Sequence, residues 1–150
     1  MRMVRVGLVG ALLAVASYAW GIDGLVAVES PHSPKDTMDR LEALLKREGL
    51  TIFARIDHAA GAARIGQVLR PTEVLIFGSP RDGTPFMRCA QTVGIDLPLK
   101  TLVWQSESGQ VWLGYNDPSF LAQRHGAAPC PVTDTLRKAL AGFAQEAVAP

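Results

Sequence analysis

The chain has 150 residues, 15 Lys and Arg against 14 Asp and Glu, and 48% apolar side chains. That length makes one domain, and the composition is globular rather than disordered. A formal charge of +1 gives no electrostatic reason to expect nucleic acid or an anionic membrane as a partner.

The first 21 residues differ from the rest. Arg2 and Arg5 make a basic start, and Val6 to Trp20 carry no charge. Small residues at Ser17, Ala19 and Gly21 fit what signal peptidase reads, so residues 1–21 are expected to be a signal peptide cleaved near Ala19 or Gly21. The alternative is a retained anchor, but an apolar run of about 15 residues is short of the ~20 that span a bilayer. The expectation is therefore an exported, periplasmic or secreted protein with no stable membrane insertion after cleavage. Residues 22–150 then form a single domain.

Leu25 to Val28 reads as a short strand. Ser33 can cap a helix with Pro34 at its first position, and Met38, Leu41, Leu44 and Leu45 share one face. Gly49 stops it. Leu50 to Asp57 alternates, with Leu50, Ile52, Ala54 and Ile56 on one side and Thr51, Phe53, Arg55 and Asp57 on the other, as in a half-buried strand. Asp57 can cap a short helix ending before Pro71, although Gly61 and Gly66 weaken it. Val74 to Phe77 is a continuous apolar run, expected as a central strand.

Gly78 to Thr84 follows as a loop, with a helix expected to start at Thr84 and Pro85 and to end at Gly94. Leu99–Gln105 and Gln110–Tyr115 form an antiparallel hairpin about Ser108-Gly109. Asn116-Asp117-Pro118 starts a further helix through Phe120, Leu121 and His125. Thr133 or Asp134 should cap the last helix, 133–148, with Leu136, Leu140, Phe143 and Ala147 as its apolar stripe. The fold expected is α+β: one mostly antiparallel sheet of about five strands, helices on one face, and a C-terminal helix.

No Walker A loop, G-x-G-x-x-G, H-E-x-x-H, G-x-S-x-G or C-x-x-C-H sequence occurs. Four smaller groupings carry chemistry. Asp57-His58 at a strand end could orient an imidazole or bind a metal, or Asp57 could simply cap a helix. Gly78 to Thr84, with Arg81, could bind an anion at a helix start or merely connect elements. Tyr115-Asn116-Asp117-Pro118 could share a cleft with His58 and His125, or serve as turn and cap. Met87, Cys89 and the three histidines offer soft metal ligands, although Met87 has the spacing of a core residue. The two cysteines, Cys89 and Cys130, suggest a disulfide in an oxidising compartment, with two free thiols as the alternative.

Several of these segments occur together and in order: Ala54-Arg55-Ile56-Asp57-His58-Ala59-Ala60, Leu69 to Gly78, Gly83-Thr84-Pro85, Gly94 to Lys100, and Tyr115-Asn116-Asp117-Pro118. The chain resembles domain-of-unknown-function family 302 over this stretch, from about Gly24 to Gly126. The resemblance implies a compact α+β domain, often exported, that forms homodimers, and it implies no activity. The motif residues carried over are His58, Pro71, Phe77, Gly78, Pro85, Pro98, Tyr115, Asn116, Asp117 and Pro118. Of these, His58, Tyr115, Asn116 and Asp117 have chemistry to offer a ligand. Cys89 stands where the family has a small residue and Cys130 lies beyond the shared stretch, so the pair looks like a local addition and supports a disulfide.

The function expected is a periplasmic module that binds or senses a small ligand or a metal. A hydrolase or isomerase using His58 with Asp57 or Asp117 is the first alternative. A structural partner acting through its dimer surface is the second.

Overall fold

The computed structural model describes residues 22–150. The expected leader, residues 1–21, lies outside the described residues. Five strands form one antiparallel sheet: β1 (Leu25–Ser30), β2 (Thr51–Asp57), β3 (Thr72–Gly78), β4 (Leu99–Gln105) and β5 (Val111–Asn116). Their order across the sheet is β1-β5-β4-β3-β2, so the first two strands are the two edges. Five α-helices connect or follow them: α1 (Pro34–Arg47), α2 (His58–Arg64), α3 (Pro80–Cys89), α4 (Pro118–Arg124) and α5 (Val132–Val148). A 3-10 helix, Gln91–Ile95, follows α3.

One sheet face carries the main core. Val28, Leu75, Phe77, Val103, Leu113 and Tyr115 pack there against Met38, Leu41 and Leu45 of α1 and Leu140, Ala144 and Ala147 of α5. Ser33 caps α1 through a bond accepted from the Asp36 amide, which explains where that helix starts. A second cluster lies beside the sheet, where Phe86, Val93, Leu121, Ala122, Ala127, Cys130 and Leu136 join α3, the 3-10 helix, α4 and α5. The far end of α5 is held by α1 and the turn before it. Arg40 donates to the carbonyls of Ala147 and Ala149, and His32 Nε2 lies 2.7 Å from the Ala149 oxygen. These groups meet carbonyls that a helix end leaves without partners.

The opposite sheet face keeps Ile76, Leu102, Trp104 and Trp112 only half-buried. Trp104 and Trp112 are direct cross-strand neighbours, stacked with ring centroids 6.4 Å apart. Gly114 makes room for them, because a Cβ there would stand 2.9 Å from the Trp104 ring.

Three local expectations need correction. The alternation of β2 is broken by a bulge between Ile52 and Ala54. Ile52 sits opposite Phe77 and Arg55 opposite Leu75, so both are on the helix-covered face, while Phe53 is the extra residue and is 57% exposed. α3 begins at Pro80, not Thr84. Ser79 caps it by accepting the Arg81 amide, Pro80 suits a first helical position, and Pro85 is carried inside the helix. The last helix starts at Val132 with no side-chain cap; Thr133 is buried and its hydroxyl has no partner among the described residues. Its stripe is as expected, with Leu136, Leu140 and Ala147 buried and Phe143 half-buried.

Candidate functional site

The residues singled out from the sequence occupy separate places. Asp57 caps α2 by accepting the Ala60 amide at 2.8 Å, and His58 is the exposed first residue of that helix. Tyr115 is buried in the main core. Asn116 is exposed at the end of β5, and Asp117 caps α4 by accepting the Ser119 amide at 2.7 Å.

The shared cleft expected of His58 and Tyr115–Asp117 does not form. Arg55 aligns across the sheet with Leu75, Thr101 and Tyr115, three strand spacings apart. β2 and β5 run in opposite directions, so their C-terminal ends lie at opposite ends of the sheet. With strand spacings of about 4.8 Å and a rise of about 3.3 Å per residue, His58 and Tyr115 backbones are roughly 16 Å or more apart. The two strand ends are legible along the chain, whereas the strand order, which decides whether they meet, is not.

His125 finds other company. Its Nε2 lies 2.6 Å from Asp96 Oδ2 and its Nδ1 lies 3.0 Å from Thr92 Oγ1. Arg124 adds a bond to the other Asp96 oxygen. This carboxylate–imidazole–hydroxyl row ties the C-terminal end of α4 to the 3-10 helix. No part of it lines a cavity described below, so it reads as a strut. The sequence offered no cue to it, since Thr92 and Asp96 are far from His125 along the chain. Among the described residues no three His, Cys, Asp or Glu side chains gather as a metal site.

Arg55 is the most heavily paired cation among the described residues. It donates through Nε to Glu73 and through Nη1 to Asp39 at 2.6 Å and Glu42 at 3.0 Å. The Glu73 bond, then those to Asp39 and Glu42, hold the guanidinium above its usual range. Asp39 is lowered by Lys35 and then Arg55, and Glu42 by Lys46 and then Arg55. These bonds fasten the β2–β3 edge to α1.

A concave site among the described residues lies elsewhere, between the start of β2, the end of β3, α3 and α5. It is a cavity of about 520 Å³. Phe77, Leu136 and Leu140 are buried at its floor. Leu97, Pro98 and Leu99 form one wall and Ala139 and Phe143 another. At the rim stand Phe53 and Met87, 57% and 37% exposed, two apolar side chains left in water. The bulge in β2 is what sets Phe53 there, and a Cβ at Gly78 would stand 3.9 Å from its ring. The size and apolar lining are those of small-molecule sites. Met87 and the Gly78–Thr84 segment, both noted in the sequence, come together here, but as rim and wall rather than as metal ligand and anion loop.

The Cys89–Cys130 disulfide is present, with Cα atoms 6.0 Å apart. It links the last residue of α3 to the turn before α5, the two helices that flank the cavity.

Proteins of Brucella suis biovar 1 and Brucella abortus biovar 1, each named Fluoride-specific ion channel FluC 1, are 51% identical to this chain over 102 residues. The match takes in 68% of this chain but only 40% and 38% of those proteins, so the chain spans about two fifths of the length of the curated relatives it matches. The crystal structure of an uncharacterized conserved DUF302 protein from Bacillus stearothermophilus superposes with a TM-score of 0.75, over 84% of this chain and 99% of that one. At 22% identity that likeness establishes the fold. The family described as Domain of unknown function DUF302 matches residues 26–143, and the chain belongs to it.

Proposed function

We propose that this domain is an exported module that binds a small apolar molecule in the cavity between α3 and α5. The single observation behind this reading is the cavity itself, about 520 Å³ with a mostly apolar lining and two exposed apolar side chains at its rim. Apolar side chains left in water beside a concavity favour a ligand that covers them. Metal binding has less support, because no set of ligands converges among the described residues. The hydrolase or isomerase reading has less support than binding, since Asp117 stands apart from His58 and Asp57 is engaged as the cap of α2. Export rests on the leader pattern at residues 1–21 and on a disulfide that belongs in an oxidising compartment.

The test uses N-phenyl-1-naphthylamine, a neutral apolar dye that brightens out of water. The protein should take it up at a saturable site. Ala139→Trp, which puts a large ring into the cavity from the half-buried side of α5 that lines it, should remove that uptake while the circular dichroism spectrum is kept. Unchanged uptake by the variant would place the dye elsewhere and end the proposal. Amino-terminal sequencing of periplasmic protein tests the export half: Trp20 or Ile22 as first residue is expected, and Met1 would refute it.

A second reading is favoured by the open sheet face. Ile76, Leu102, Trp104 and Trp112 present an apolar surface there that no helix buries fully. The homodimer implied by the family would use this face. The Brucella relatives carry a similar stretch inside longer chains named as ion channels, which supports a role as the docking module of a larger assembly. Sedimentation of the wild type and of Trp112→Glu decides the dimer: the variant should run as a monomer, and a wild type that is itself monomeric at high concentration rejects it.

A further inference from the structure

The polar groups around the cavity are one-sided. Its lining contains Glu48, Ser79, Asp82, Thr84 and Thr135, and no Lys, Arg or His. Among the described residues its only charges are therefore two carboxylates. Asp82 is half-buried in the first turn of α3 and makes no ion pair among the described residues. Glu48 is bound only loosely, 3.4 Å from Arg47, whose closer partner is Glu146 at 2.6 Å.

The start of α3 would ordinarily favour an anion. Here its donors are used by the chain itself. The Arg81 amide bonds to Ser79 Oγ, and the Asp82 and Gly83 amides bond to the Ser79 carbonyl. Asp82 already supplies negative charge to the positive end of the helix. An incoming carboxylate or phosphate would meet two carboxylates and no cation, with the Arg81, Asp82 and Gly83 amides already bonded and only the hydroxyls of Ser79, Thr84 and Thr135 to receive it, whereas a cation would meet two partners.

We propose that the cavity takes a cationic amphiphile, an amine or quaternary ammonium group on an apolar body. The body lies on Phe77, Leu136 and Leu140 beneath the Phe53 and Met87 rim, and the head stands between Asp82 and Glu48. The exposed Phe53 ring adds a face to which a quaternary ammonium is attracted. This rests on the apolar-ligand reading given above and specifies its ligand class.

Displacement of bound N-phenyl-1-naphthylamine measures it. Dodecyltrimethylammonium, dodecanoate and dodecanol are compared below their micelle-forming concentrations. The cation should displace the dye at about a tenth of the concentration that the carboxylate needs, the ratio that a modest difference in charge interaction produces. In Glu48→Gln/Asp82→Asn that ratio should fall to near one; Asp82→Asn alone, a smaller perturbation of α3, should give an intermediate value. Equal or better displacement by dodecanoate overturns the charge assignment and leaves the apolar site standing. A preference that survives in the double variant overturns it as well, because the selecting charge is then elsewhere. Failure of the wild type to bind the dye overturns both readings.

Discussion

Cys89 and Cys130 bridge the end of α3 to the turn that leads into α5, and so clasp together the two helices between which the cavity opens. The link closes a loop with a sequence separation of 41 residues. By restricting the unfolded chain it should contribute about 3–4 kcal/mol. Cys89→Ser/Cys130→Ser is expected to melt at a clearly lower temperature and to bind the dye more weakly, since the wall of the cavity is no longer fixed. Thiol counting on protein purified without reductant checks the premise: no free thiol should react. Unaltered melting in the double variant would refute the stabilising role.

Leu140 belongs both to the main core and to the floor of the cavity. Leu140→Ala should cost about 2–5 kcal/mol, as a core truncation that enlarges an existing void. Denaturant unfolding gives the value. A cost below about 0.5 kcal/mol, the range of surface substitutions, would mean that α5 is not docked.

Arg55 sets an acid limit. Asp39 and Glu42 are both lowered below their ordinary values of 3.8 and 4.5. Groups lowered by folding add stability that is complete above those ordinary values and is lost as the pH falls below them, through the lowered folded values. Unfolding midpoints should therefore drop on acidification through that window. Arg55→Met should cost about 1–2 kcal/mol near neutrality, between the worth of exposed and of buried pairs. Its acid dependence should be shallower, because only Lys35 and Lys46 then hold the two carboxylates. A variant with the same acid slope as wild type contradicts the assignment.

Gly114→Ala would set a methyl 2.9 Å from the Trp104 ring and 3.2 Å from the Val26 carbonyl oxygen. The ring or the strand must shift, at about 1–3 kcal/mol. Tryptophan fluorescence and near-ultraviolet dichroism should change together with stability. An unchanged signal would show that the stack yields freely.

Much of the frame was legible because it obeys local rules. Ser33-Pro34 begins α1, Asp57 caps α2, and the period of Leu136, Leu140 and Ala147 orients α5. The bulge at Phe53 was not legible, since Leu50 to Asp57 alternates without interruption in sequence and only pairing with β3 exposes the extra residue. Pro85 misled because proline suits a helix start; the competing Ser79-Pro80 pair, a cap and a first residue together, takes precedence. The disulfide could be inferred from counting. The cavity could not, because Phe53, Met87, Leu97 and Leu140 are gathered from four segments by strand order and helix docking. His58 and Tyr115 invited pairing for their chemistry, and the antiparallel run of β2 and β5 separates them.

The position of β1 at one edge has a consequence for the birth of the protein. Among the described residues its only strand partner is β5, with Leu25 opposite Asn116 and Ser30 opposite Val111. Contacts so distant along the chain form slowly, because a long loop must close before they repay its entropy. On the ribosome β1 has nothing to pair with until residue 116 has emerged, and α5, which seals the core over Leu75 and Leu113, is made later still. The sheet therefore cannot be completed, nor its core sealed, until most of the chain has been made.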